Sequence, residues 1–212
     1  MNKLIVEPTL KEQVAAGVRA SIIAGHMAPG EVHSAPALAE RYAVSVTPVR
    51  EALLDLVKEG LLKPVKNKGF RVVEPSVQDL DEIASMRDLL EPPAVAMVAN
   101  SATPEQLSHL RELAVIISQH AASGKIEEYL EADRQFHLAV IEATGNKRLV
   151  ETVAQLRSQA RLFGLRQIAE KGELAQSSEE HNLLLHAIES KDAPLAEKIM
   201  RDHLGHVRHE WR

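Results

Sequence analysis

From Ser76 to Trp211 the chain reads almost continuously as helix: apolar residues return at three- and four-residue spacing, and no alternating strand pattern intervenes. The stretches Ser76–Glu91, Pro93–Asn100, Pro104–Ala122, Ile126–Ala143, Lys147–Ala169, Ala175–Ser190 and Ala193–Trp211 each carry this period, with Leu107, Leu110, Leu113 and Ile117 forming one such stripe. Breaks such as Gly124, Gly145-Asn146 and Gly172 are short, so neighbouring helices must run antiparallel. The pattern predicts an all-α bundle of six or seven helices over residues 76–212. Pro92-Pro93 is expected to break or sharply kink the first long helical stretch.

Residues 1–75 have a different grammar. Leu10, Val14, Val18 and Ile22 recur every four residues over Thr9–Ala24, which predicts a first helix ended by Gly25 and Pro29-Gly30. A short second helix over Pro36–Tyr42 turns inward Leu38 and Ala39. Ala43-Val44-Ser45 then makes a tight connection to a third helix from about Val46 to Glu59. Ser45 or Thr47 can cap its start, Pro48 suits its first turn, Gly60 ends it, and Leu53, Leu54 and Val57 are its expected buried stripe. Leu61–Val65 and Phe70–Val73 flank Lys66-Asn67-Lys68-Gly69 as a hairpin with a basic tip. This order predicts a winged helix-turn-helix, so the chain is expected to be mainly α, with domains at 1–75 and 76–212.

Charge follows the same division. Residues 1–75 hold ten Lys and Arg against eight Asp and Glu, whereas the remainder holds fifteen against twenty-two. Between Arg41 and Val73 the balance is seven basic to three acidic, a local excess suited to phosphate. The absence of cysteine excludes disulfides, thiolate metal sites and a cysteine nucleophile, leaving histidine and carboxylates as the strong metal ligands. The longest clean apolar run, Ala94–Ala99, is far below a membrane span, and Met1–Lys11 lacks the apolar core of a signal peptide. A cytoplasmic protein without a membrane partner is the expectation.

At the basic end, Arg50 can make a bidentate contact to guanine from the recognition helix. Ser45 and Thr47 can bond phosphate or a base, and Lys66 and Lys68 can grip the backbone or the adjacent minor groove. Pro29-Gly30, Leu38-Ala39-Glu40, Val44-Ser45, the run from Thr47 to Leu53, Glu59-Gly60-Leu61 and Lys68-Gly69-Phe70 together resemble the winged-helix signature of the GntR transcription regulators. The resemblance implies a double-stranded DNA operator, pseudo-palindromic if the protein is a homodimer, contacted by Arg41, Ser45, Val46, Thr47, Arg50, Lys66, Asn67 and Lys68. Two positions depart from it. Val46 stands where members often carry a base-reading Arg, and Ala35-Pro36-Ala37 stands where many carry an Arg before the Leu-Ala pair.

Eight of the ten histidines lie beyond residue 75, and Asp133 and His137, four apart, share one helical face and can chelate a metal. His181 and His203 on later helices can converge on them, with His206 as a rival ligand. Zinc, nickel, manganese and iron all suit such donors. Arg87 precedes Glu91 by one turn and serves either as a helical ion pair or as a clamp for a carboxylate. Arg157 and Arg161 share a face of a later helix and are further candidates.

This half also resembles a known family. Arg87 with Leu90-Glu91, Ala132 to His137, Gly145-Asn146, Glu180-His181 with Ala187-Ile188, and Met200 to Leu204 are similar to the FCD ligand domain of the FadR subfamily, in its shorter VanR-like layout. The resemblance implies a divalent metal, zinc foremost, on Asp133, His137, His181 and His203, with a small organic acid at its open positions and Arg87 beside it. The expected protein is a dimeric regulator, a repressor released by that acid. A metal-dependent hydrolase on the same four residues and a regulator that senses the metal alone are the alternatives. The stretch His-Asn-Leu-Leu-Leu-His at His181 is not HExxH, and no P-loop, GxGxxG or GxSxG is present.

Overall fold

The computed structural model describes residues 8–23, 25–161 and 174–209. Their contacts fall into two units, residues 1–74 and 75–212. The first contains α1 (Leu10–Ile23), β1 (Val32–His33), α2 (Ala35–Tyr42), α3 (Val46–Lys58), β2 (Leu62–Val65) and β3 (Gly69–Val72). Val14, Val18 and Ile22 bury the inner face of α1 against α3, while Leu10 remains exposed. Ser34 caps α2 by accepting the Ala37 N–H at 3.3 Å, and Ala43 closes it in the left-handed conformation, φ 54°. That turn delivers the chain directly into α3.

Two local expectations for α3 require correction. Ser45 occupies the N-cap but makes no side-chain capping bond. The third helical residue is Pro48, whose nitrogen carries no hydrogen to be capped. The buried stripe is Val49, Ala52, Leu53 and Leu56, whereas Leu54 is 46% exposed and Val57 only half-buried. Val49, Leu53 and Leu56 follow the helical repeat, and Leu54 lies about 100° away from Leu53.

The sheet has the order β1-β3-β2 and is antiparallel throughout, with Val32 and Lys63 both opposite Arg71. β1 has only two residues, too few to show a period in the sequence. Gly69 makes its pairing sterically feasible. It sits at φ +130°, and a Cβ there would lie 2.3 Å from the His33 carbonyl oxygen.

The second unit comprises α4 (Val77–Ser101), α5 (Pro104–Ser123), α6 (Ile126–Glu142), α7 (Lys147–Arg161), α8 (Leu174–Glu189) and α9 (Ala193–His209). Capping boxes start α4, through Ser76 and Asp79, and α5, through Thr103 and Gln106. α4 runs through Pro92 and Pro93 as one helix, so the predicted break is absent. Proline's fixed φ is itself helical. Glu91, Pro92, Ala94, Val95, Val98 and Ala99 are all buried, and packing on both sides of the pair offsets the missing N–H bonds. The expected helical stretch beyond Arg161 to Ala169, the Gly172 break, and Glu210–Trp211 lie outside the described residues, as does the side chain of Arg161.

α4 packs along α9 and α7, while α5 lies against α6 and α8. Arg111 pairs with Glu189 and Ser118 meets Ser178 at 3.0 Å, an opposed order that makes α5 and α8 antiparallel. Ile117, Leu130, Phe136, Ile141, Leu184 and Ile188 are almost fully buried. Among the described residues no helix is long and apolar enough to cross a membrane.

Gly69→Ala should cost about 1–3 kcal/mol of stability from backbone strain alone, and displacement of β1 by the new methyl group should add to that cost. Chemical unfolding followed by circular dichroism measures this, and an unchanged midpoint would contradict the close approach described.

Candidate functional site

All eight candidate DNA contacts in the first unit are exposed: Arg41, Ser45, Val46, Thr47, Arg50, Lys66, Asn67 and Lys68. An open groove of about 580 Å³ gathers Arg50 and Leu54 of α3 with Asn67 and Lys68 of the hairpin tip. Ser45, Val46 and Thr47 stand at the start of α3, and Arg41 in the last turn of α2. The Arg50 guanidinium has no ionic or hydrogen-bond partner among the described residues, and the same holds for Lys66 and Lys68. Three such cations on α3 and the hairpin tip form a surface that favours phosphate and base-edge acceptors.

In the second unit the chemistry is buried. Asp133 and His137 lie on the inner face of α6, His181 on α8 and His203 on α9, each at most 4% exposed. One donor atom from each falls within 4.8 Å of the others. His181 Nε2 is 3.0 Å from His137 Nε2 and 3.2 Å from Asp133 Oδ1, and His137 Nε2 is 3.6 Å from the same oxygen.

The imidazoles are oriented from behind. His181 Nδ1 donates to the Ser177 carbonyl at 2.7 Å, and His203 Nδ1 to Glu180 Oε2 at 2.7 Å, which leaves their Nε2 atoms for the centre. The other Glu180 oxygen accepts from His206 Nδ1 at 2.7 Å, so His206 lies outside the cluster and its side chain is 56% exposed. Tyr129, fully buried, donates to Ser177 Oγ at 2.8 Å, and burial together with Asp133 raises its phenol.

Electrostatics prepare these donors. Burial pushes the Asp133 carboxyl up, but His137 and His181 outweigh it and hold the group well below the usual carboxylate range. Burial and the nearby Arg157 charge drive His137 well below its ordinary value, and burial lowers His203 as well. An ionised carboxylate and neutral imidazoles are the forms that ligate a divalent cation. The donors of Asp133, His137 and His181, 3.0–3.6 Å apart, can share one ion at bond lengths of about 2.0–2.2 Å, with the His203 donor within 4.8 Å of them. The residues therefore fit a metal.

Arg87 is 5% exposed and bonds Glu91 Oε1 through Nε at 2.7 Å. Arg157 takes the other Glu91 oxygen through Nε at 2.9 Å and through Nη2, and extends Nη1 to 3.6 Å from Asp133 Oδ2. The sequence identified the Arg87–Glu91 spacing but not Glu91 as a junction between two arginines, because Arg157 lies 66 residues further along the chain. Glu180 as the carboxylate shared by His203 and His206 was likewise not apparent. Arg134, next to Asp133, turns away to pair with Glu131 at 2.6 Å.

Residues 82–206 match the FCD domain, and residues 10–72 match the bacterial regulatory proteins of the gntR family. The HTH-type transcriptional regulator McbR of Escherichia coli strain K12 is 35% identical over 89% of this chain and 83% of its own. The HTH-type transcriptional repressor GlaR of the same strain is 30% identical over 86% of this chain and 87% of its own. The solved structure of E. coli McbR/YncC superposes with a TM-score of 0.80 at 30% identity, covering 97% of this chain and all of that one. A GntR regulator from Rhodococcus sp. RHA1 shares the fold, with a TM-score of 0.74 at 22% identity over 95% of this chain and 96% of its own.

Burial pushes Glu91 up, yet Arg157 and Arg87 prevail and hold it below its ordinary value. It therefore adds stability above about pH 4.5, which is lost as pH falls through the lower folded value. Glu91→Gln should cost about 3–5 kcal/mol at neutral pH by leaving buried guanidinium charge uncompensated, and should flatten the acid limb of stability. Urea unfolding across the acid range measures both, and wild-type behaviour would contradict the pairing.

Proposed function

The chain belongs to the GntR family of bacterial regulatory proteins and carries an FCD domain, and we propose that it is a dimeric repressor released by a small carboxylate. As a transcription regulator with a DNA-binding head it is not an enzyme, which sets the hydrolase alternative aside. The observation that carries the proposal is the convergence of four buried donors from three helices next to the Arg87–Glu91–Arg157 junction.

In this reading Asp133, His137, His181 and His203 hold a divalent ion, zinc first, with nickel, manganese or iron as chemical alternatives. The ion supplies open coordination positions for a carboxylate. Among the described residues Arg87 bonds Glu91 through Nε alone, which leaves its two terminal nitrogens to grip the same ligand. Glu91 and Arg157 keep Arg87 and Asp133 in register, and Ser177 and Glu180 fix the imidazole tautomers. Ligand binding then favours one arrangement of the bundle, and operator affinity falls only to the extent that the acid discriminates between the two states. Two heads on a two-fold axis address a pseudo-palindromic operator in the cytoplasm.

Thermal unfolding against a panel of small carboxylates, before and after chelation, tests the site. An acid at 100 times its Kd should add about 2.7 kcal/mol to the metal-loaded protein and nothing to the chelated one. His137→Ala should keep DNA binding but lose metal and response. Stoichiometric metal in that variant would refute the ligand set, and metal stabilisation with no acid effect across the panel would favour a sensor of the metal itself. Arg50→Ala should lose about 1–3 kcal/mol of specific operator binding, read by footprinting. An unchanged footprint would remove Arg50 from base reading.

A further inference from the structure

The apolar side chains of α3 that build the core are Val49, Ala52, Leu53 and Leu56, all fully buried. Val46 does not belong to them. It occupies the first helical position with 41% of its surface exposed, next to exposed Thr47 and one turn before exposed Arg50. Leu54, the other exposed apolar residue of α3, lines the groove with Pro64, Val65 and Phe70 and so faces the wing, two turns beyond Val46. Val46 is thus an apolar, branched and rotationally stiff group at the end of the helix whose N-terminal residues meet base edges.

The major-groove edges of the four bases offer one apolar group, the C5-methyl of thymine. Cytosine presents hydrogen at that carbon and an amino donor beside it, which a valine would cover without accepting its hydrogen bond. We infer that Val46 is a specificity-determining residue that packs on a thymine methyl, within one or two base pairs of the guanine contacted by Arg50. Each half-site then couples a guanine, read by hydrogen bonds, to a thymine, read by a methyl contact. This rests on α3 being the helix that enters the major groove.

The test uses full-length protein to select duplexes from a random DNA library, followed by affinity measurements on the enriched duplex with single thymines replaced by deoxyuridine, which lacks only the methyl. One position should weaken wild-type binding about three- to fivefold, the change associated with one buried methyl group. Val46→Ala should bind the thymine and uracil duplexes alike. If no replacement matters, or if Val46→Ala keeps the discrimination, the assignment is overturned, the latter outcome pointing to the Thr47 methyl. Arg50→Ala separates the two levels of the inference. Loss of binding there without any thymine effect removes Val46 alone, whereas wild-type affinity in both Arg50→Ala and Val46→Ala removes α3 as the reading helix and Val46 with it.

Discussion

The carboxylate of Glu91, wholly buried, is shared between the guanidinium groups of Arg87 and Arg157, and the second of these extends toward Asp133. A lone carboxylate at that depth would be expelled or protonated, and two guanidinium groups without it would repel each other in a medium of low polarity. The three charges are therefore mutually dependent. Arg157 comes from α7, Glu91 from α4 and Asp133 from α6, so the chain of charge ties three helices together at the level of the His cluster. Burial pulls Arg157 down to about 10, with Glu91 acting against it, and the group remains cationic at neutral pH. The two guanidinium groups are matched by the carboxylates of Glu91 and Asp133, both held below their ordinary values.

The two units handle charge in opposite ways. In the bundle each buried ionic group among the described residues has a partner, and His137 Nδ1 alone among the site's ring nitrogens is buried without one. In the head Arg50, Lys66 and Lys68 are held in water with no internal partner among the described residues. Elsewhere on the same unit Arg19 is committed to Glu59 and Lys11 and Lys58 to Asp55. Pairing removes Lys11, Arg19 and Lys58 from competition and leaves Arg50, Lys66 and Lys68 among the positive groups free to meet a polyanion.

Legibility in the sequence followed the range of the interactions. Helical periods, the hairpin and the turn at Ala43–Ser45 depend on residues a few positions apart and could be read directly, as could Asp133 and His137 on one helical face. Uninterrupted passage of α4 through Pro92-Pro93 could not, because it depends on burial of both flanks against other helices. Leu54 appears as apolar as Leu53 in the sequence, and only the shape of the core distinguishes them. Convergence of His181 and His203 on Asp133 is open to a bundle of helices, but only the family resemblance singled out His203 over His206, since 70 residues separate Asp133 from His203. The pairing of Arg157 with Glu91 and the sharing of Glu180 by two histidines leave no periodic trace at all.

The wing has a property that concerns crowding on DNA. Its central strand, β3, is flanked on one side by the two-residue β1 and on the other by β2, where Pro64 lacks an N–H and Lys63 points outward into water. Very short strands, prolines and lysines are the features that stop a sheet edge from recruiting another chain. Copies gathered side by side along one duplex therefore offer one another no row of open backbone donors and acceptors. The head can reach high local concentration on nucleic acid without its sheet becoming a template for aggregation.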